Sequence, residues 1–292
     1  MEFFIDIFND ALIDTLKLVP FLFVTYWVME LIEHMASDKS RAAIERAGHA
    51  GPLVGAVLGA LPQCGFSAAA STLYAGRVIT VGTLIAVFLS TSDEMLPIFI
   101  AEQVDPIRIV QIIGLKALIG VIMGFVFDLI VRLTHHAGDG KPHIDELCER
   151  DHCHCDDEEE HHSPLRSAIH HTLQVTLFIF LISLVLGGAI EWVGEEAIAS
   201  FMQVHPTLSV IAASVVGLIP NCGASVVLTE LYLEGTLSFG AAMGGLLVSA
   251  GIGLLVLVRT NRHAKQNLTI IGVLFLTGVI WGWLLQLLGV AL

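Results

Sequence analysis

Long apolar stretches separated by short polar connections run almost the whole length of the chain, near 11–35, 51–76, 79–100, 107–133, 170–193, 207–233, 236–259 and 268–290. As a helix rising about 1.5 Å per residue, most of them can cross the roughly 30 Å of hydrocarbon in a bilayer. The pattern lapses once. Between 134 and 166 the chain turns to His, Cys, Asp and Glu, with Gly138, Gly140 and Pro142 near the start of the lapse and Pro164 near its end. The pattern predicts an all-α, polytopic membrane protein. It has an N-terminal transmembrane repeat over 1–133, a hydrophilic linker over 134–166 and a C-terminal transmembrane repeat over 167–292.

The two apolar parts resemble each other. Pro62, Cys64, Gly65, Leu73, Tyr74 and Gly82 recur as Pro220, Cys222, Gly223, Leu231, Tyr232 and Gly240, every pair 158 residues apart with no gap. Glu33 and Glu191 share that separation, and Asp14-Thr-Leu resembles His171-Thr-Leu one residue out of step.

Charge in the connections distinguishes two topologies, because short cytoplasmic loops collect Lys and Arg. If 51–76 and 207–233 each cross the membrane once, the 14 basic residues divide eight against six, almost without bias. If each instead folds back as a hairpin broken at Pro-x-Cys-Gly, eleven fall on one side and only Lys17, Arg108 and Lys116 on the other. Each arm of such a hairpin holds about a dozen residues, roughly 18 Å of helix, too short to span. The hairpins are therefore expected to be re-entrant. An odd number of full crossings per half then makes the repeats inverted, each with about five helical segments. Lys39, Arg41, Arg46 and Arg77 place the first hairpin on the cytoplasmic side, and Glu195, Glu196 and Glu234 place the second outside. Both termini are expected outside and the linker inside, in a plasma membrane of the bacterial inner-membrane type.

Composition narrows the function classes. A mean hydropathy of +0.78 with only 14% charged residues suits lipid as solvent. The net charge of −14 argues against nucleic acid, whose phosphates require clustered Lys and Arg. Glu2, Asp6, Asp10 and Asp14 stand where a cleavable signal would carry basic residues, so the first apolar stretch is expected to stay in the mature chain. Five cysteines, an odd number, two of them within apolar stretches, argue against a disulfide scaffold. No Walker-type loop provides for ATP, and no metalloprotease motif lies within a crossing segment, so no enzyme is expected.

The chemistry concentrates at three places. Pro62-Gln63-Cys64-Gly65 and Pro220-Asn221-Cys222-Gly223 pair a residue that cannot donate into a helix with one that tolerates unusual dihedrals. Backbone groups released there need a partner other than lipid. Ser67 and Ser71 follow Cys64, and Ser225 and Thr229 follow Cys222, three and seven residues on and therefore on the thiol's face of a helix. Cys64, Cys222, Gln63, Asn221, Ser67 and Ser225 are thus candidate substrate ligands, and paired thiols suit zinc, cadmium or trivalent arsenic. The alternative is that both cysteines are simply small residues for close helix packing. Second, Ser90-Thr91-Ser92-Asp93-Glu94 lies halfway along 79–100, where ionised side chains are costly and face a cavity or a partner. Ser92, Asp93 and Glu94 are candidate oxygen ligands or proton carriers, unless a carboxylate merely pairs with Arg77 or Lys116 for assembly. Gly251 and Ile252 replace the two carboxylates in the second half. Third, His143, Cys148, His152, Cys153, His154 and Cys155, with an acidic run from Asp156 to Glu160, give the linker a metal-binding composition without the spacing of a zinc finger. A flexible chelating loop is expected; a solvated acidic spacer is the alternative.

The duplicated Pro-x-Cys-Gly hairpins, the Ser-Thr-Ser-Asp-Glu segment and the His-rich linker resemble the ten-transmembrane heavy-metal exporters, a family also labelled arsenic efflux proteins or manganese transporters. The similarity spans 11–290. It implies ten helical segments and export of a metal or metalloid of the manganese, zinc, cadmium or arsenite class. Thiols would favour zinc, cadmium or arsenite; Asp93, Glu94, Gln63 and Asn221 would suit manganese. The metal is cargo, and no cofactor is expected. Secondary-active transport by alternating access follows from inverted repeats with interrupted helices, with protons as the expected coupling ion. The expected partners are the lipid bilayer and the metal, with a homodimer left open. A small organic anion held at the hairpin tips by helix dipoles is the alternative cargo.

Overall fold

The computed structural model describes residues 50–62, 64–92, 94–134, 164–193 and 206–290, together with part of 8–27. All regular structure among them is helical. The helices are α1 (Gly51–Gly59), α2 (Cys64–Ala75), α3 (Val81–Ser90), α4 (Met95–Ala101), α5 (Pro106–Leu133), α6 (Pro164–Val193), α7 (Pro206–Gly217), α8 (Cys222–Leu233), α9 (Phe239–Val248), α10 (Gly253–Thr260) and α11 (Ala264–Leu287). The described positions of 8–27 are helical too, and Leu22 and Tyr26 share a cluster with Val175 and Ile179 of α6. α6 starts at Pro164, inside the stretch read as linker, with proline in the first turn, where its missing N–H has no intrahelical partner to lose.

Element bounds in the first half recur in the second at the 158-residue offset. Cys64, Val81, Ser90, Met95 and Pro106 become Cys222, Phe239, Val248, Gly253 and Ala264. Packing recurs with them. A Cβ on Gly124 would stand 2.7 Å from the Gly82 carbonyl oxygen, and one on Gly282 would stand 2.8 Å from that of Gly240. One turn earlier, Gly120 meets the Ala86 carbonyl and Gly278 that of Gly244. These close approaches are how membrane helices gain dispersion energy where lipid gives no hydrophobic drive between them. The turns repeat as well. After α2 and α8 the chain passes through a left-handed residue, Arg77 (φ 58°) and Gly235 (φ 74°). The amides of Val78 and Thr236 then donate to the carbonyls of Leu73 and Leu231, closing each helix with the same motif.

α1 runs alongside α3 in the same direction, since Gly51 and Gly55 face Thr83 while Gly59 faces Val87 and Ser90. α2 begins beyond the 60–62 bend, and only residues 76–80 separate its end from the start of α3. α1 and α2 both pack against α3, which is the first part of a longer helix.

That longer helix is itself broken. Residues 79–100 read as one apolar run, but α3 stops at Ser90 and α4 begins at Met95. The hydroxyls of Ser90 and Thr91 donate to the carbonyls of Ala86 and Val87 at 2.8 Å each, a local bonding pattern that bends helices. The second half breaks at the same place, between Val248 and Gly253, where Gly251 adopts φ 52°. At the start of α3, Thr80 caps the Thr83 amide, and the Asp128 carboxylate accepts from the Gly82 amide and the Thr80 hydroxyl at 2.9 and 2.8 Å. Ser238 caps α9 through the Ala241 amide.

Five described stretches are long and apolar enough to cross a membrane: Val81–Ala101, Pro106–Leu133, Ala168–Val185, Phe239–Thr260 and Ala264–Leu287. α3 and α9 are buried along nearly their full lengths and form the centre. α5, α6 and α11 surround it and turn Val110, Leu173, Leu268 and Leu276 outward, an apolar exterior that matches lipid tails.

Candidate functional site

The two helix breaks lie close together at the centre. Thr91, Ser92 and Met95 from the α3–α4 break, Leu246 and Ser249 from the α9–α10 break, Lys116 of α5 and Ser225 of α8 line one cavity of about 10 Å³, room for a single water-sized particle. Both halves thus contribute to one wall. Lys116 is 1% exposed, and its ammonium donates to the Leu246 carbonyl at 2.9 Å and to the Thr91 carbonyl. In uninterrupted helices those two oxygens would accept from residues 95 and 250. α3 and α9 have ended, and Lys116 serves the acceptors that the breaks release.

The hairpin helices close on these breaks crosswise. Ser92 donates its hydroxyl to the Ala60 carbonyl at 2.7 Å, joining the first break to the bend of the first hairpin. On α2, Ser71 donates to the Gly253 carbonyl at 2.7 Å and to Ser67 at 2.9 Å, joining the first hairpin to the second half. Gly253 is required there, since a Cβ would stand 2.8 Å from that of Ser67. α8 packs in return against α4, where Tyr232 meets Phe99 with ring centroids 6.3 Å apart.

Among the residues expected to form the site, Ser92 and Ser225 share the cavity. Cys222 lies one turn before Ser225, 4% exposed and not in a disulfide, in an apolar cluster that includes Ala68, Ile252 and Val256. Ser225 donates to the Cys222 carbonyl at 2.8 Å, and Thr229 to that of Ser225 at 2.7 Å. Asn221 uses its side-chain oxygen to cap α8, accepting from the Gly223 amide at 3.2 Å, which leaves that oxygen one further lone pair. Ser67 is buried against Gly253, and Glu94 is half-buried at the start of α4. Gln63, Asp93, the Cys64 side chain and the linker residues His143, Cys148, His152, Cys153, His154 and Cys155 lie outside the described residues. Within the described residues, no three His, Cys, Asp or Glu side chains gather as a metal site.

A family of ten-transmembrane heavy-metal exporters matches residues 1–193 and 165–291. The chain belongs to that family. As a member of the exporter family it is a multi-pass membrane protein of the transporter class. The described helices fit the family's count when each hairpin arm is one segment, α3–α4 and α9–α10 are one broken span each, and 8–27 is included. No curated protein and no solved structure matches the chain.

Four cavity residues were not expected at the site: Met95, Leu246, Ser249 and Lys116, the last weighed only as a partner for a carboxylate. Lys116 had been set among the basic residues on the outer side, yet it sits ten residues into α5, about 15 Å along the helix and away from any loop. It drops out of the charge count, which favours the hairpin topology as strongly without it. Its signal was a lone cation inside an apolar run, the situation in which a partner or a function is expected. Arg77, the other basic residue weighed as a carboxylate partner, donates to Gln266 at 3.2 Å and lies over the Tyr74 ring.

Proposed function

We propose that the protein is a secondary-active exporter that moves a metal or metalloid of the manganese, zinc, cadmium or arsenite class by alternating access, with protons as the coupling ion. The observation that carries this reading is the central cavity, built by both halves where two helices are interrupted. Broken helices leave backbone carbonyls and amides available to ions at mid-membrane, and a site shared by two repeats can be opened to either side by rocking one against the other.

Two contacts support the inverted arrangement that such rocking needs. Arg77, after the end of α2, bonds Gln266, near the start of α11. That contact supports the start of α3 and the end of α10 lying at one face. Tyr232, near the end of α8, meets Phe99 of α4 and Phe239 of α9, putting the end of α4 and the start of α9 at the other. In this reading the α3–α4 and α9–α10 spans run in opposite directions, and each hairpin returns to the face from which it entered.

In this reading Ser92, Asp93 and Glu94 on one side and Cys222, Ser225 and Asn221 on the other form the cargo path, with Cys64, Gln63 and Ser67 at the symmetric position. Thiols hold the softer ions and carboxylates the harder ones. The cytoplasmic linker gathers metal before export. Metal tolerance of cells expressing Cys64→Ser, Cys222→Ser and Asp93→Asn tests the assignment. Each is expected to lower tolerance to the transported metal while the protein level stays constant, and undiminished tolerance in all three would remove these residues from the path.

A further inference from the structure

Lys116 sits at a point in the exporter that suits a cation. Two helices, one from each half, end at it. Their carboxyl-terminal ends carry the negative end of the helix dipole, and the carbonyls of Thr91 and Leu246 converge on one nitrogen. Oxygen donors from Ser92, Ser225 and Ser249 stand around the same cavity. A hard or borderline divalent ion is recognised by such a ring of neutral oxygens, as an ammonium is. In the structure the ammonium holds the place.

We infer that Lys116 is a tethered stand-in for the cargo: its charge occupies the carbonyl site of the empty carrier, and a divalent metal takes that site by displacing it. The inference rests on the exporter reading and adds to it a rule of mutual exclusion. Like charges a few ångströms apart in a site shielded from water repel strongly, so metal and ammonium cannot share the two carbonyls. When cargo leaves, Lys116 returns and satisfies both oxygens, so the empty carrier can reset without two bare acceptors buried at the membrane centre. Bridging the two halves also makes the lysine sensitive to how they are arranged, which ties its position to the transport cycle.

The test is metal binding by the purified, full-length protein in detergent, comparing wild type with Lys116→Gln and Lys116→Arg and using Mn²⁺ and Cd²⁺ as probes. Glutamine can still donate to a carbonyl but carries no charge, and arginine keeps the charge. Lys116→Gln is expected to bind at least about tenfold more tightly than wild type, because the competing charge has gone, and Lys116→Arg no more tightly than wild type. Equal affinities in all three proteins, or weaker binding by Lys116→Gln, would make the lysine a structural strut and overturn the inference. Should Lys116→Gln not stay monodisperse on size exclusion, Lys116→Met, which also removes the charge, takes its place: tighter binding than wild type supports the exclusion rule, and equal or weaker binding contradicts it. Absence of Mn²⁺ and Cd²⁺ binding by the wild-type protein would instead sink the exporter reading for those ions, and this inference with it.

Discussion

At the scale of single residues, the interior uses polar groups to repair what the chain's own interruptions leave open. Asp128 reaches from α5 to the first turn of α3, where the Gly82 amide and the Thr80 hydroxyl meet its two oxygens. Removing it should cost about 1–2 kcal/mol, the usual cost of losing a cap. Asp128→Ala is accordingly expected to lower the thermal midpoint of the detergent-solubilised protein, with Asp128→Asn in between; an unchanged midpoint for the alanine variant would show the cap to be dispensable. Asp128 was not legible beforehand. Its counterpart 158 residues on is Gln286, so the pair lacks the identity that exposed Cys64 and Cys222. Lys116 escaped for a different reason. A charge count along the chain places a basic residue on the side its neighbours suggest, whereas depth in the bilayer depends on where the helix starts, and α5 begins ten residues earlier at Pro106.

At the scale of elements, the bends were legible and the mid-helix breaks were not. Pro62 and Pro220 each remove a donor three residues before a glycine, and α1 ends at Gly59 and α7 at Gly217, just ahead of those motifs. The break between α9 and α10 carries neither proline nor charge. Ser249-Ala250-Gly251-Ile252 is as apolar as its surroundings, so hydropathy runs straight through it and only the left-handed Gly251 betrays the turn. Helix packing gives this scale its own test. Gly124 and Gly282 lie against the backbones of Gly82 and Gly240, whereas Gly114 and Gly272, also 158 residues apart, have no atom within 4 Å of a Cβ. Gly124→Val and Gly282→Val should destabilise by about 1–3 kcal/mol or more through overpacking, and Gly114→Val and Gly272→Val far less, as read by thermal unfolding. Equal losses in both pairs would mean that the close approach does not govern the packing.

At the scale of the whole molecule, the account depends on two halves entering the membrane from opposite faces and sharing one centre. The series of matched residues made the duplication visible, and charge in the loops suggested its sense. How α2 crosses to α10 and α8 to α4 had no counterpart in the sequence, because packing between repeats leaves no periodicity along either one. Cysteines introduced singly at residues 76–80 and 262–263 should react with an impermeant maleimide from the cytoplasmic face. Those at 102–105 and 234–238 should react from outside, and labelling of all four sets from one face would remove the inversion. The most direct measurement is flux in proteoliposomes holding the full-length protein, with Mn²⁺, Zn²⁺, Cd²⁺ and arsenite offered in turn, with and without a pH gradient. The account predicts movement of at least one of them, faster against an opposing proton gradient and reduced by Cys222→Ser or Asp93→Asn. Indifference to all four, with or without the gradient, would contradict it.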